Sequence, residues 1–341
     1  MKIVIDKDIP FLREALAPFA ETVALPGREI APEDVADADA LIVRTRTRCD
    51  RQLLGGSSVR FVGTATIGFD HIDRTWCAAH GIEVATAAGC NARGVLQWVG
   101  ACLTKLSLDG GWTPPQRCLG VVGVGHIGSL VADYAARWGF RVLCCDPPRR
   151  RLEPQRCGGF VSLEEIASRA DIVTFHVPMN RSGEDCTWHM ADERFIARLR
   201  PGAVLLNSSR GAVVDNRALR DAVLRGTCGC CLDVWENEPD IDPLLLEKAV
   251  VATPHIAGYS LQGKANASAM MAEALARRFG LPLTGWYPDV KPSSPRPISW
   301  QELRQTVAAY CDTEAESAPL RADRSRFEEL RNRYKYREEY F

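Results

Sequence analysis

No run of 18 apolar residues occurs in this 341-residue chain, so no segment has the length to cross a bilayer as a helix. The opening residues, M-K-I-V-I-D-K-D, carry no apolar run long enough for a secretory signal, and a cytoplasmic protein is expected. Charge of one sign is also lacking: the formal net charge is −1. A nucleic acid or an anionic membrane is therefore not expected as a partner. There is no internal repeat of the kind that builds solenoids or propellers. Cys228 and Cys231 form a C-x-x-C, but no second ligand pair stands at zinc-finger spacing, and no metal is expected. The thirteen cysteines lie mostly within apolar runs such as R-V-L-C-C-D (141–146) and C-C-L-D-V (230–234). Reduced cysteines in that setting behave as small hydrophobes.

What is present is a large apolar fraction, 46% of residues, enough to bury a substantial core and to exclude global disorder. The length suggests two domains, or one with an extension. From Met1 to about Asn91, short strands (K-I-V-I-D, A-L-I-V-R, V-R-F-V-G-T-A, G-I-E-V-A-T-A) alternate with helical patterns such as I-P-F-L-R-E-A-L-A-P-F. That alternation predicts a parallel sheet with crossover helices. From about Ala92 to His255 a long apolar helix is followed by further βα units, including a helix capped by Ser162 and Glu165. A helix over S-L-Q-G-K-A-N-A-S-A-M-M-A-E-A-L-A-R-R-F (260–279) should dock on the first region. A proline-rich linker leads to a helix capped by Ser299 and Glu302, and a charged helical tail is expected over 326–341.

Within the second region, G-V-G-H-I-G (123–128) has a strand before it, a helix after it and an acidic residue closing the next strand. In that context the pattern is a specific signal for a dinucleotide. Gly123 permits the tight turn, and Gly125 lets the backbone N–H groups of His126 and Ile127 approach a pyrophosphate. Gly128 lets the helix pack on the strand. Asp146, 23 residues after Gly123, is placed to accept from the adenosine ribose, which favours NAD. Arg149, Arg150 and Arg151 follow it. They are read as a solvated loop, with contact to the extra phosphate of NADP as the alternative.

Three chemistry-bearing residues come later, each following a strand: Arg210 in N-S-S-R-G-A-V-V-D (207–215), Glu238 in the loop D-V-W-E-N-E-P (233–239) and His255 in T-P-H-I-A-G-Y (253–259). In doubly wound sheets ligands bind at the carboxyl ends of the strands. A guanidinium there can hold a carboxylate. An imidazole can take a hydroxyl proton, with a carboxylate to orient it and raise its basicity. Of the other histidines, His71 is expected to organise a turn and His126 to act through its backbone. His176 ends a strand, and His80 and His189 have no nearby partner in sequence. Thr66 lies in a Gly-rich turn suited to an anion. The basic segment R-T-R-T-R (44–48) and Tyr259 are candidates for meeting a phosphate, with Arg44 foremost; a surface-exposed strand end is the equal alternative for Arg44.

These motifs together resemble those of the D-isomer-specific 2-hydroxyacid dehydrogenases over roughly residues 1–285. The resemblance implies an α/β protein with two doubly wound parallel-sheet domains. A flavodoxin-like substrate domain would span 1–91 and 256–285, and a Rossmann-type NAD domain 92–255. A short C-terminal extension, 286–341, would serve as a partial dimerisation domain of a homodimer. It further implies His255 as acid/base, Glu238 as its partner and Arg210 as the substrate anchor. Ser208, Ser209, Asp233 and Gly258 match cofactor-contacting positions, and Thr45, Thr66 and Tyr259 substrate-contacting ones. Thr45 stands where the family pattern has serine, which keeps the hydroxyl. Val177 stands at a cofactor position where the pattern has threonine, which loses one. A closer similarity is carried by F-V-G-T-A-T-I-G-F-D-H-I-D (61–73), A-A-G-C-N-A (87–92), C-D-P-P-R (145–149), H-I-A-G-Y-S-L-Q-G-K-A (255–265) and F-E-E-L-R-N-R-Y (327–334). It implies a phosphorylated 2-hydroxy acid, 4-phospho-D-erythronate, as substrate, within vitamin B6 synthesis. Other members of the family, acting on phosphoglycerate, glycerate or hydroxypyruvate, are alternatives. An NAD(H)-sensing binding protein of the same fold is a third reading.

Overall fold

Apolar residues in the strands come in unbroken runs rather than alternating with polar ones, and a parallel sheet buried on both faces is the arrangement that uses such runs. The computed structural model describes residues 1–153 and 159–341. The chain groups into two compact units, Met1–Asn91 with Ser260–Ser293 and Ala92–Tyr259 with Ser294–Phe341.

The first unit holds strands β1 (Lys2–Asp6), β2 (Glu21–Leu25), β3 (Ala40–Val43), β4 (Phe61–Thr64) and β5 (Glu83–Thr86), all parallel, in the order β2-β1-β3-β4-β5. This is the flavodoxin-like order. Ile3, Ile5, Ile42 and Phe61 pack on one face with Met271 and Leu275 of the helix Leu261–Phe279. Val4, Leu41, Val43 and Val62 pack on the other. Ser268 of that helix donates to the Pro10 carbonyl at 2.6 Å, so the helix docks on the first region as its apolar face requires. Strand β2 carries no strong apolar run and lies at the sheet edge, half-buried, which is why the sequence does not announce it. The helix expected near residues 9–19 is only Leu12–Leu16, because Phe11 enters it at φ 66°.

The second unit holds β6 (Cys118–Val122), β7 (Arg141–Cys145), β8 (Ile172–Phe175), β9 (Ala203–Asn207), β10 (Cys228–Leu232) and β11 (Val251–Ala252), in the order β11-β10-β9-β8-β6-β7. Beyond β7 a single parallel bridge joins Phe160 to Cys144, and Val161 N donates to the Cys144 carbonyl at 2.8 Å. Counting that bridge as a shrunken strand restores the dinucleotide-fold order, with the reversal of strand order between β6 and β8. The helices Ala92–Gly110 and His126–Trp138 cover one face. Leu163–Arg169 and Asn216–Leu224 cover the other. Among the described residues the cysteines form no disulfide with one another. Burial pushes the Cys145 thiol up to about 12, the behaviour of a core residue rather than a nucleophile.

The C-terminal segment departs from the expected charged helix. Ser299 does cap the helix Trp300–Tyr310 by accepting from Glu302 N at 3.1 Å. A further helix, Thr313–Ala322, and a short one, Phe327–Asn332, follow. After Asn332 the chain is no longer helical, because Arg337 is drawn inward. Its Nη2 donates to the carbonyls of Gly94, at 3.1 Å, and Ala257. Its Nη1 donates to Tyr334 at 2.9 Å and lies 3.6 Å from Glu316. Phe341 is buried against Tyr134 and Trp138. From Ser294 onward the extension is thus part of the second unit, and residues 286–293 belong to the first.

Replacing Arg337 leaves two buried carbonyls and Glu316 without their cation. Arg337→Met is expected to destabilise the protein by about 3 kcal/mol or more, read from urea unfolding. A loss below about 0.5 kcal/mol would show the segment to be loosely held.

Candidate active site

A histidine becomes a directed base when one ring nitrogen is fixed and the other is left for the substrate. His255 Nδ1 lies 2.8 Å from Glu238 Oε2, and Trp235 N donates to Glu238 Oε1 at 2.9 Å. Both carboxylate oxygens are therefore held. The carboxylate can only accept, so Nδ1 carries the proton and Nε2 offers its lone pair. Burial pushes the Glu238 carboxyl up, but the adjoining His255, the bonds from His255 and Trp235, and the charge of Arg331 outweigh it and hold it below the usual carboxylate value.

Asp233 sets the position of this pair. It is fully buried; Oδ1 accepts from Thr253 Oγ1 at 2.6 Å and Ile256 N at 2.7 Å, and Oδ2 from Ala257 N at 2.9 Å. His255 N donates to the Asp233 carbonyl at 2.7 Å. Trp98 Nε1 donates to Thr253 Oγ1 and Trp235 Nε1 to the Thr253 carbonyl. Within this frame His255 is held at φ 59°, a left-handed conformation that a non-glycine residue keeps only when its surroundings dictate it. Burial pushes the Asp233 carboxyl up, opposed by His255 and by the donors just named. Asp233 is expected from the sequence as a cofactor contact; its visible work is to hold the loop that carries His255. Gly258 and Tyr259 follow directly in that loop.

Arg210 follows β9, with its Nη1 donating to the Ser209 carbonyl and its own carbonyl accepting from Asn207 Nδ2. A Cβ on the next residue, Gly211, would stand 2.0 Å from the Trp235 carbonyl carbon and 2.5 Å from Glu236 N. Only glycine lets the Arg210 loop lie against the loop that holds Glu238. His189, which has no partner in sequence, ties the same region together. Its Nε2 lies 2.6 Å from Glu236 Oε1, while Glu236 Oε2 accepts from Asn216 N. His189, Asp215 and Glu236 bring possible ligand atoms within 4.8 Å of one another. Asp215 also caps the helix Asn216–Leu224, so each of these carboxylates already has a local structural partner.

The glycine-rich loop fits a dinucleotide. Gly123 has φ 83°, and a Cβ there would meet the His176 carbonyl oxygen and Val177 Cγ1 at 2.6 Å. The loops after β6 and β8 therefore touch where the strand order reverses. A Cβ on Gly128 would stand 1.9 Å from the Gly123 carbonyl oxygen, whereas nothing lies within 4 Å of one on Gly125. That space sits at the N-terminus of the helix His126–Trp138, where His126 and Ile127 offer N–H groups to an anion. Ser208 Oγ is buried without a hydrogen-bond partner, while Ser209 is bound to Asn207 Oδ1. Asp146 accepts from Val124 N at 2.8 Å and Arg149 N at 3.0 Å, which fixes it beside the loop. Arg149 is paired with Glu153, and Arg151 with Glu184 and Asp185. Burial pushes His176 down to about 3, so it is a neutral part of the wall.

In the first unit, Thr45 and Thr66 follow the adjacent strands β3 and β4 at their carboxyl ends. Thr66 Oγ1 lies 2.7 Å from Thr64 Oγ1 and donates to the Gly68 carbonyl. Arg44, expected to meet a phosphate, is held by two carboxylates. It meets Asp6 at 2.9 Å and Asp8 at 2.6 Å, so its charge is matched by carboxylates of its own unit. One residue of the second unit gives no signal in sequence beyond its motif. Arg331 Nε, from the C-terminal segment, donates to the Tyr259 hydroxyl at 3.3 Å.

Two outcomes follow from this geometry. Glu238 stays ionised below the usual value of about 4.3, so its stabilising contribution is complete above that value and is lost as pH falls through the lowered native value. Glu238→Gln is expected to cost about 1.5–3 kcal/mol at pH 7, with the gap to the unsubstituted protein narrowing below about pH 4; urea unfolding across that range measures it. Gly211→Ala is expected to cost about 1–3 kcal/mol, seen as a lowered Tm, and to reduce turnover by displacing Arg210.

Known proteins resemble this chain in sequence and in fold. Residues 105–257 match the family model described as D-isomer specific 2-hydroxyacid dehydrogenase, NAD binding domain. The chain is 44% identical over 345 residues to the erythronate-4-phosphate dehydrogenase of Bacteroides fragilis, covering 99% of this chain and 97% of that protein. It is 39% identical to that of Escherichia coli O157:H7, covering 100% and 92%. Among solved structures, the D-lactate dehydrogenase of Aquifex aeolicus in complex with NAD and lactic acid is similar at a TM-score of 0.70 and 26% identity, over 86% of this chain and 100% of that one.

Proposed function

Because the chain belongs to the D-isomer specific 2-hydroxyacid dehydrogenases, among the erythronate-4-phosphate dehydrogenases, we propose that it oxidises 4-phospho-D-erythronate to (R)-3-hydroxy-2-oxo-4-phosphonooxybutanoate with NAD, in the vitamin B6 pathway. The observation that carries the reading is the His255–Glu238 pair, held at 2.8 Å by the Asp233 frame, with the Arg210 loop packed against the loop of Glu238.

The Arg210 guanidinium binds the substrate carboxylate, and its charge favours the carbonyl that develops beside it. His255 Nε2 removes the proton of the 2-hydroxyl as the C2–O bond becomes double. Glu238 stabilises the imidazolium so formed. NAD, when bound, accepts the hydride leaving C2. Gly123, Gly125, Gly128, Asp146, Ser208 and Ser209 would hold it, with the open space over Gly125 for the pyrophosphate. Thr45 and Thr66 are kept as substrate contacts. Among the described residues no helix is long and apolar enough to cross a membrane. The assembly proposed with this function is a homodimer, which light scattering would report as twice the chain mass.

NADH formation with 4-phosphoerythronate, beside 3-phosphoglycerate and unphosphorylated D-erythronate, tests the substrate. A preference for the first of about 10²-fold or more is expected; equal rates would move the substrate elsewhere in the family. His255→Ala is expected to lower kcat by about 10²-fold or more with NADH binding retained. Persistent turnover would refute the acid/base role.

A further inference from the structure

The arginines of the C-terminal segment are almost all matched. Arg324 meets Asp240 at 2.9 Å, and Arg326 and Arg333 meet Glu329. Arg337 meets Glu316, and Arg321 donates to the carbonyls of Ala249 and Val250. Arg331 is different. It is half-buried, yet among the described residues no carboxylate lies within ion-pair distance, and its one hydrogen bond is from Nε to the Tyr259 hydroxyl. A guanidinium has five N–H donors, so both terminal nitrogens remain for another acceptor. A sheltered cation on which the nearest acidic groups, Glu238 and Glu328, act only from beyond ion-pair distance leaves its terminal nitrogens for a bound anion.

The surroundings are fixed. Tyr259 is four residues beyond His255. Its ring is bracketed edge-on by Tyr334 and Tyr336, with centroids at 6.2 and 6.1 Å. Tyr334 is in turn bonded to Arg337 and Glu316. Since the phenol oxygen accepts from Arg331, its proton is donated in another direction. Arg331 is close enough for its charge to help hold Glu238 ionised. Arg210 already serves the substrate carboxylate, and Arg44 is neutralised by Asp6 and Asp8. The other anionic end of a phosphorylated substrate still needs a cation.

We infer that Arg331, with the Tyr259 hydroxyl beside it, forms the subsite that holds the substrate's terminal phosphate, so that the C-terminal segment supplies a specificity-determining residue. This rests on the phosphorylated-substrate reading above.

The test compares the full-length protein with Arg331→Met and Arg331→Lys, using 4-phosphoerythronate and D-erythronate as substrates. Thermal unfolding and NADH binding serve as checks on folding. Arg331→Met is expected to cut the ratio of kcat/KM for the phosphorylated over the unphosphorylated substrate by roughly 10- to 100-fold, mainly through KM, with partial recovery in Arg331→Lys. Equal losses on both substrates would make Arg331 a positioning group for Glu238 and overturn the inference, as would an unchanged ratio. If the unsubstituted protein shows no preference for the phosphorylated substrate, the substrate reading fails. Calorimetric titration with inorganic phosphate then still decides the subsite: binding lost in Arg331→Met supports an anion site there, and equal binding or none in either protein removes it.

Discussion

A buried carboxylate that accepts from Thr253 and from the N–H groups of Ile256 and Ala257 is the constraint on which the rest of the second unit's chemistry depends. Asp233 converts the end of one strand into a template for the loop after another. Left to itself, the chain after Thr253 would not keep His255 in a left-handed conformation, since each such residue costs on the order of 1–3 kcal/mol. The hydrogen bonds to Asp233 offset that cost. They also fix where the imidazole stands relative to Glu238, whose own oxygens are taken by Trp235 N and His255. The geometry of the His255–Glu238 pair is inherited from a polar network that is almost wholly out of contact with solvent, where an unsatisfied member would be costly.

Much of this was legible in the sequence, for physical reasons. The glycine loop could be read because a close approach of helix, strand and pyrophosphate tolerates no side chain at Gly123 or Gly128. The parallel sheets could be read because strands buried on both faces leave unbroken apolar runs. The meeting of Glu238 and His255 could be expected because each follows a strand inside a specific motif. The role of Asp233 as the frame of the His255 loop could not, because its partners are 20 to 24 residues away and meet it only once the sheet has formed. Strand β2 was missed because an edge strand needs little apolar residue content.

The C-terminal segment was the least legible part. Charge at close spacing reads as a solvated helix, and that reading holds only as far as Asn332. Beyond it, Arg337 goes inward to the carbonyls of Gly94 and Ala257, and the aromatic residues Tyr334, Tyr336, Tyr340 and Phe341 find partners on the second unit. Nothing in a list of residue types distinguishes an arginine that solvates from one that clamps two carbonyls. The distinction lies in a contact 243 residues apart in sequence.

That span has a consequence for how the protein is made. Synthesis delivers the chain from one end, and domains fold as they emerge. The sheet, the glycine loop and the His255–Glu238 pair can all assemble while the ribosome is still adding residues past 260. The carbonyl of Ala257 has no clamp, and Tyr259 no bracketing rings, until Arg337 and its neighbours have been added. The nascent protein therefore passes through an interval in which its sheet is built and the loop after His255 is still loose, an interval that closes only when Arg337 and its neighbours arrive.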